Sequence, residues 1–339
     1  MSPTDPDEPA RSAADPDGAP DEEGSEEVSA VHEEAEEQAV EDASGLTSRL
    51  IYEVIRRNGE EELARPARSL IWAGAAAGFM ISFSVLGEAI FRTYLPDVPW
   101  RHLLENAGYS LGFMLVIMGR MQLFTENTIT TTLPLMVKPC RSYAVGVAKL
   151  WVMVLASNVV GAFIAAGLWV WTPALPPEFH PAITELSHHA THMDAATGFF
   201  RAIPAGILVA ALVWMLPQAG SSALMMILIF TWLIAAGDFT HIVAGSVEMA
   251  YLALQAEIAP GQAVFGFFLP VLAGNVIGGT AIFSLMAWGQ VKDELRATRD
   301  GRPRPELRPA PAQWPPRPAG AWRAIPGGGA PGPRRLPGE

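Results

Sequence analysis

Six long apolar segments restrict this chain more than any other feature of its sequence. They run approximately over residues 69–94, 103–137, 143–171, 195–216, 221–254 and 262–288. A bilayer core about 30 Å thick needs roughly 20 apolar helical residues to cross it. The segments therefore predict an all-α integral membrane protein with six transmembrane helices over residues 69–289. They exclude a soluble globular enzyme.

The regions outside this apolar body are polar, and each has its own composition. Residues 1–45 hold sixteen Asp and Glu but one Arg, which predicts a disordered acidic tail. Residues 46–68 place apolar side chains at helical spacing among charged ones and predict a cytoplasmic amphipathic helix. Residues 290–339 are rich in Pro, Gly and Arg and predict a second disordered tail. No basic run is interleaved with aromatic residues, so we expect no nucleic-acid partner.

The distribution of Lys and Arg indicates the orientation of the helices in the lipid bilayer. These residues are concentrated before the first segment, between the second and third, and after the sixth. Such loops face the cytoplasm, and the loop 172–194 contains neither Lys nor Arg. Arg92 and Arg101, in the first outer loop, run against the pattern. We expect a multi-pass protein of the inner cell membrane with both termini in the cytoplasm.

Two short sequence matches indicate an internal repeat. Asn158-Val-Val-Gly in the third segment matches Asn275-Val-Ile-Gly in the sixth, and Phe124-Thr125 matches Phe239-Thr240. The two offsets, 117 and 115 residues, are nearly equal. A repeat of three spans reverses its direction in the membrane, so the pattern predicts an inverted 3+3 arrangement with a solute path at the pseudo-two-fold axis.

The second and fifth segments contain polar residues at membrane depth. Arg120, Gln122, Glu126 and Asn127 interrupt the second segment, and residues 237–241 interrupt the fifth. Non-helical backbone at this depth survives only inside the protein or along a water-filled cavity. We therefore expect helices two and five to be broken, with both breaks beside one central path.

At these residues the chain resembles the formate/nitrite transporter family. Leu123-Phe124-Thr125 is similar to the Leu-Phe-Thr of the family's loop in helix two, and residues 237–244 are similar to its break in helix five. The resemblance implies an aquaporin-like channel fold and a homopentamer with one pore per subunit. It implies that His241 is the central pore histidine, that Thr125 hydrogen-bonds near it, and that Leu123 and Phe124 narrow the pore.

The substrate is expected to be a small monovalent anion or its conjugate weak acid, carried passively or with a proton taken up at His241. Acidic residues near the pore keep a small neutral solute or a cation open as the alternative, unless Glu126 and Glu248 pair with Arg120 or Arg201. The predicted pathway residues are His241, Thr125, Leu123, Phe124, Phe239, Thr240, Glu126, Asn127, Glu248, Asn158, Asn275 and Arg201.

Neither Ser246 nor the histidine cluster at residues 188–192 predicts an enzyme or a cofactor site. Ser246 lies near His241 but lacks a Gly-x-Ser-x-Gly elbow. His188 and His192 have the i, i+4 spacing that zinc sites use, with His189 between them. These histidines lie in an external loop without a catalytic partner, so we expect a polar rim rather than a metal, and no cofactor.

Overall fold

Within residues 46–299, four helices are long and apolar enough to cross a lipid bilayer. In this computed structural model they are Ala67–Tyr94, Arg141–Trp171, Ala195–Ala236 and Gln262–Glu294. The structure describes residues 46–299, with side chains to residue 294, and this part of the chain contains no β-strand. The prediction of an all-α membrane protein is confirmed. The predicted tail 1–45, and residues 300–339 of the predicted tail 290–339, lie outside the described residues.

The described residues up to Lys292 form one unit, and the described part of the second unit is the end of the last helix. The α-helices follow in chain order: α1 (Ser48–Ala64), α2 (Ala67–Met80), α3 (Ser82–Tyr94), α4 (Arg101–Glu105), α5 (Ser110–Met118), α6 (Phe124–Thr130), α7 (Thr132–Val137), α8 (Arg141–Trp171), α9 (His180–Thr191), α10 (Ala195–Ala219), α11 (Ala223–Ala236), α12 (Ile242–Leu254), α13 (Leu269–Val276) and α14 (Leu285–Arg299). Two π-helical stretches flank α13: Gln262–Phe268 precedes it, and Ile277–Ser284 joins it to α14.

Helix α1 is attached to the apolar body by hydrogen bonds as well as by packing. The Tyr52 hydroxyl, fully buried, donates to the carbonyl oxygen of Leu133 (3.3 Å). Near the other end of α1, Gln122 Nε2 donates to Glu62 Oε2 (2.7 Å). The amphipathic helix therefore contacts the segment that separates α5 from α6.

Helices α5 and α11 end with the same backbone geometry. The hydrogen bonds are Met121 N to Val116 O (3.0 Å), Arg120 N to Ile117 O (3.1 Å), Phe239 N to Ile234 O (2.9 Å) and Asp238 N to Ala235 O (2.9 Å). Each pair of bonds forms a Schellman motif, whose left-handed residue is usually Gly. Here that residue is Arg120, with φ 49°, or Asp238, with φ 55°. An L-residue costs about 1–2 kcal/mol in this conformation.

Glycine allows two pairs of helices to touch through their backbones. A Cβ atom on Gly78 of α2 would overlap the carbonyl oxygen of Asn158 in α8. A Cβ atom on Gly206 of α10 would overlap the carbonyl oxygen of Asn275 in α13 in the same way. Both contacts lie at an asparagine, and small residues are what such close approaches between membrane helices require.

We predict that Gly78→Ala destabilises the protein. The added methyl group would push α2 away from α8, and overpacking of this kind costs about 1–3 kcal/mol. Gly289→Ala is the matched control, because no atom lies within 4 Å of its added methyl group and Ala is favoured in a helix. In detergent, Gly78→Ala should unfold at a lower temperature than the wild type and Gly289→Ala should not. Equal unfolding temperatures for the two variants would contradict the close approach.

Candidate functional site

Thr125 and His241 meet in the interior of the protein. Thr125 Oγ1 lies 2.8 Å from His241 Nε2, and the side chains are only 1% and 2% exposed. The other ring nitrogen, Nδ1, accepts a hydrogen bond from Ala244 N (3.3 Å) and caps α12. Because a backbone amide only donates, Nδ1 carries no proton, and the neutral ring donates its Nε2 proton to Thr125. The hydroxyl proton of Thr125 is then free for another acceptor.

Two asparagines hold the backbone on either side of this contact. Asn158 Oδ1 accepts from Phe124 N (2.9 Å), and its Nδ2 donates to the carbonyl oxygens of Gln122 and Gly74 (both 2.8 Å). Asn275 Oδ1 accepts from Ile242 N (2.8 Å), and its Nδ2 donates to the carbonyl oxygens of Thr240 (3.0 Å) and Ala202 (2.8 Å). Each amide thus binds the first N–H of a helix, the carbonyl two residues before it, and a neighbouring helix. The first N–H of a helix is one of the groups that a helix start leaves without a partner.

Apolar and aromatic side chains surround the contact between Thr125 and His241. The Phe113 ring meets the His241 ring edge to face, with centroids 5.0 Å apart. Phe124 packs against Trp151 with centroids 5.9 Å apart, and Leu123 is 1% exposed. Neither Leu123 nor Phe124 lines the two cavities described next. The structure places both in packed surroundings.

A cavity of about 360 Å³ reaches His241 from one side. We call it the Glu248 cavity; its wall includes Glu88, Glu248, Phe239 and Thr240. The Thr240 hydroxyl is already engaged, because it donates to the carbonyl oxygen of Gly198 (2.8 Å). The wall of this cavity therefore carries carboxyl groups together with the aromatic rings of Tyr109, Phe239 and Phe267.

A second cavity, of about 600 Å³, lies beside Thr125's neighbour Glu126. We call it the Glu126 cavity; Arg120, Gln122 and Asn127 line it as well. Asn127 Nδ2 donates to Gln122 Oε1 (3.1 Å), whereas Glu126 Oε1 is buried without a hydrogen-bond partner. No residue lines both cavities. The hydrogen bond between Thr125 and His241 therefore connects the wall of one cavity to the helix that borders the other.

The rim of the Glu248 cavity is a network of ion pairs. Arg92 binds Glu185 (2.7 Å) on α9 and Glu105 (3.3 Å) at the end of α4. Asp238 accepts from His189 Nε2 (3.1 Å) and lies 3.3 Å from Arg201. The hydrogen bond to Asp238 raises the pKa of His189 above its ordinary value. The network connects α9 to the first long helix and to the segment before His241.

The expected pairing of Glu126 and Glu248 with arginine is wrong. Arg201 instead pairs with Asp238, the residue that ends α11. Arg120 forms no ion pair with any described residue, and neither do Glu126 and Glu248 (residues 46–294 considered). Arg120 and Glu126 are six residues apart in the sequence, but Arg120 has a left-handed backbone conformation and lies outside the helix that carries Glu126.

His188 and His189 bind separate carboxylates. His188 Nε2 contacts Glu257 (3.0 Å), whereas His189 contacts Asp238. His188 and His192 place their Nδ1 atoms 3.3 Å apart. Within the described residues, no three His, Cys, Asp or Glu side chains are arranged to hold a metal ion.

Several of these ion pairs and hydrogen bonds cannot be predicted from the sequence. Arg92 and Glu185 are 93 residues apart, and His189 and Asp238 are 49 apart, so no local pattern connects them. Asn158 and Asn275 were predicted on the pathway because of the repeat. They line neither cavity and instead bind backbone groups. Their matched positions in the two halves were the only available signal of that role.

The chain matches known proteins over most of its length. Residues 49–289 match the model of a family described as formate/nitrite transporter. The chain is 42% identical over 254 residues to the inner membrane protein YfdC of Escherichia coli (strain K12), covering 75% of this chain and 82% of that protein. It is 25% identical over 188 residues to formate-nitrite transporter 3 of Toxoplasma gondii (strain ATCC 50611 / Me49), covering 53% of this chain and 37% of that protein.

Two solved structures share the fold. A pentameric formate channel with formate bound matches with a TM-score of 0.57 and 20% identity, over 67% of this chain and 97% of that one. An ion channel of the FNT family matches with a TM-score of 0.61 and 20% identity, over 71% of this chain and 98% of that one.

We predict that Asn275→Ala is strongly destabilising. It removes the side-chain partner of one amide and two carbonyl groups, and a buried group that is left without any partner costs about 1–3 kcal/mol. Asn58→Ala removes the same side chain from an exposed position of α1 and should change stability little. Thermal unfolding in detergent distinguishes the two. An Asn275→Ala protein as stable as Asn58→Ala would show that the amide does not hold the backbone.

We predict that the bond between His189 and Asp238 makes stability depend on pH. A group whose pKa is raised in the folded state stabilises the fold below its unfolded pKa, and this contribution is lost as the pH rises through the folded pKa. The unfolding temperature of His189→Gln should therefore fall less than that of the wild type between about pH 6 and pH 9. His192→Gln, which removes a histidine that has no carboxylate partner among the described residues, should follow the wild type. Identical slopes for wild type and His189→Gln would refute this prediction.

Proposed function

This chain belongs to the formate/nitrite transporter family, whose members are channels and transporters rather than enzymes, and on that premise we propose that it conducts a small monovalent anion or its conjugate weak acid across a membrane. The observation that carries the proposal is the pair of cavities beside the Thr125–His241 contact. One reaches His241 and the other borders the residue after Thr125. A solute that enters either cavity has one short buried region left to cross.

The proposed path explains why the contact is polar within apolar surroundings. Hydrophobic side chains around Phe113 and Leu123 exclude hydrated ions. While the Thr125 hydroxyl accepts the hydrogen bond from His241 Nε2–H, its own proton can be donated to a solute. A small acid that has left its hydration shell therefore finds a hydrogen-bond donor at the narrowest point. The remaining proposed pathway residues are Phe124, Phe239, Thr240, Glu126, Asn127, Glu248, Asn158, Asn275 and Arg201, with the two asparagines acting through the backbone.

We propose six spans in an inverted 3+3 arrangement, with helices two and five broken at residues 119–123 and 237–241. Two observations support it: α5 and α11 end in matching left-handed turns, and Asn158 and Asn275 bind matching backbone groups. Each half-helix alone is too short to cross a bilayer, but two in line approach the required length.

The proposed organisation follows from the charges of the loops. Residues 69–289 form the channel domain, residues 46–68 form the cytoplasmic helix, and the tails 1–45 and 290–339 are accessory. Both termini face the cytoplasm, and the membrane is the inner cell membrane, as the name of the Escherichia coli relative indicates for that protein. The functional unit is a homopentamer, by analogy with the pentameric formate channel.

A second candidate is a channel for a small neutral solute or a cation. Glu88, Glu126 and Glu248 border the two cavities without ion pairs to any described residue. If these groups are ionised they repel anions. The two candidates differ in the charge state of the same three side chains.

In proteoliposomes containing the purified chain, we expect uptake of labelled formate or nitrite above that of protein-free liposomes. Thr125→Val replaces the hydroxyl by a methyl group and should lower this uptake up to about tenfold, because a hydrogen bond contributes about 0.5–1.5 kcal/mol. Thr231→Val is the control: Thr231 is also fully buried, but its hydroxyl donates to the carbonyl oxygen of Ile227 within α11.

Three results have distinct meanings. Loss of uptake in Thr125→Val alone supports the proposed path. Wild-type uptake in Thr125→Val removes Thr125 from it. Uptake of a labelled neutral solute or cation, with neither anion transported, favours the second candidate.

A further inference from the structure

Two of the five carboxyl groups on the wall of the Glu248 cavity differ from the other three. Glu105, Glu185 and Asp238 are ion-paired with Arg or His side chains. Glu88 and Glu248 form no hydrogen bond and no ion pair with any described residue, although they are only 6% and 9% exposed. Three of the five carboxyl groups thus have a basic partner, and Glu88 and Glu248 have none among the described residues.

Glu88 and Glu248 come from different helices that pack together. Glu88 lies in α3 and Glu248 in α12, and both side chains face the cavity that ends at His241. The other titratable or charged groups on this wall are Arg92, His102, Glu105, Tyr109, Glu185, His189, Asp238 and His241. The pair therefore borders the space that a solute occupies immediately before the Thr125–His241 contact.

A buried carboxylate without a partner is unfavourable, because it loses its hydration and gains nothing in return. Two such groups beside one cavity also repel each other. A proton on the pair removes both penalties, and the cavity gives that proton a route to a solute.

We propose that Glu88 and Glu248 are the proton donors of the pore, holding an exchangeable proton that they transfer to a weak-acid anion in the Glu248 cavity. This inference rests on the proposed function and deepens it. In the transfer, the O–H bond of the carboxyl group breaks and an O–H bond forms on the anion, so a carboxylate and a neutral acid result. The neutral acid passes the Thr125–His241 contact and loses its proton to water in the Glu126 cavity. The carboxylate regains a proton from water on its own side.

His241 is poorly placed for the same task. Its Nδ1 accepts from Ala244 N and its Nε2–H donates to Thr125, so the ring has no free lone pair. A second proton would have to occupy Nδ1 and remove the cap of α12. Glu88 and Glu248 have free oxygen atoms and no structural bond to lose.

The test uses the full-length chain in proteoliposomes, with labelled formate, an internal pH dye, and the membrane potential held at zero. We expect wild-type uptake to rise as the external pH falls and to bring about one proton inward per formate. Uptake by Glu88→Gln and by Glu248→Gln should no longer depend on pH, and at low pH it should be at least tenfold below wild-type uptake. Glu185→Gln makes the same change at a paired carboxylate of this cavity and should keep the pH dependence. Glu248→Asp, which keeps a titratable group, should restore part of it.

A second measurement does not depend on transport. Infrared spectra of the wild type should show a protonated carboxyl band that shifts in heavy water and weakens in Glu88→Gln and Glu248→Gln. An unchanged band in both variants, or wild-type pH dependence in both, overturns the assignment while leaving the proposed function intact. A wild type that takes up neither formate nor nitrite overturns both.

Discussion

Backbone groups that lie outside a helix in an apolar interior must find hydrogen-bond partners, and the rest of this structure depends on how that is done. Asn158 and Asn275 each supply one acceptor and two donors, which satisfy a helix start and the segment before it. The amide of Phe124 precedes Thr125, and that of Ile242 follows His241. Because these two amides are held in place, the contact between Thr125 and His241 is held in place between the two cavities.

The fold and part of the site were predictable from the sequence because both leave local signals. Long apolar segments predict membrane helices, and the motif around Leu123-Phe124-Thr125 led to the family that residues 49–289 match. Thr125 and His241 were singled out for the same reason. The charge network was not predictable, since Arg92 and Glu185 meet only after the chain has folded. The repeat indicates that Asn158 has a counterpart in Asn275, but it does not indicate which groups the two amides bind.

The division of charge in the Glu248 cavity was also beyond the sequence. All five residues are Asp or Glu, so residue type does not tell them apart. Burial does not separate them either: Glu105 is 5% exposed and ion-paired, whereas Glu248 is 9% exposed and has no ion pair with a described residue. Only the positions of the arginine side chains distinguish them. A count of acidic residues along the chain therefore overstates how much charge the cavity presents.

Asp238 combines two tasks that proteins usually assign to different residues. It is the left-handed residue that ends α11, and its carboxylate is the shared partner of Arg201 and His189. Glycine would relax the backbone at this position but would leave Arg201 and His189 without their carboxylate partner. The end point of α11 and the charge at the rim of the Glu248 cavity are therefore not independent variables. Any redesign of the charge at this rim must begin with the helix terminus.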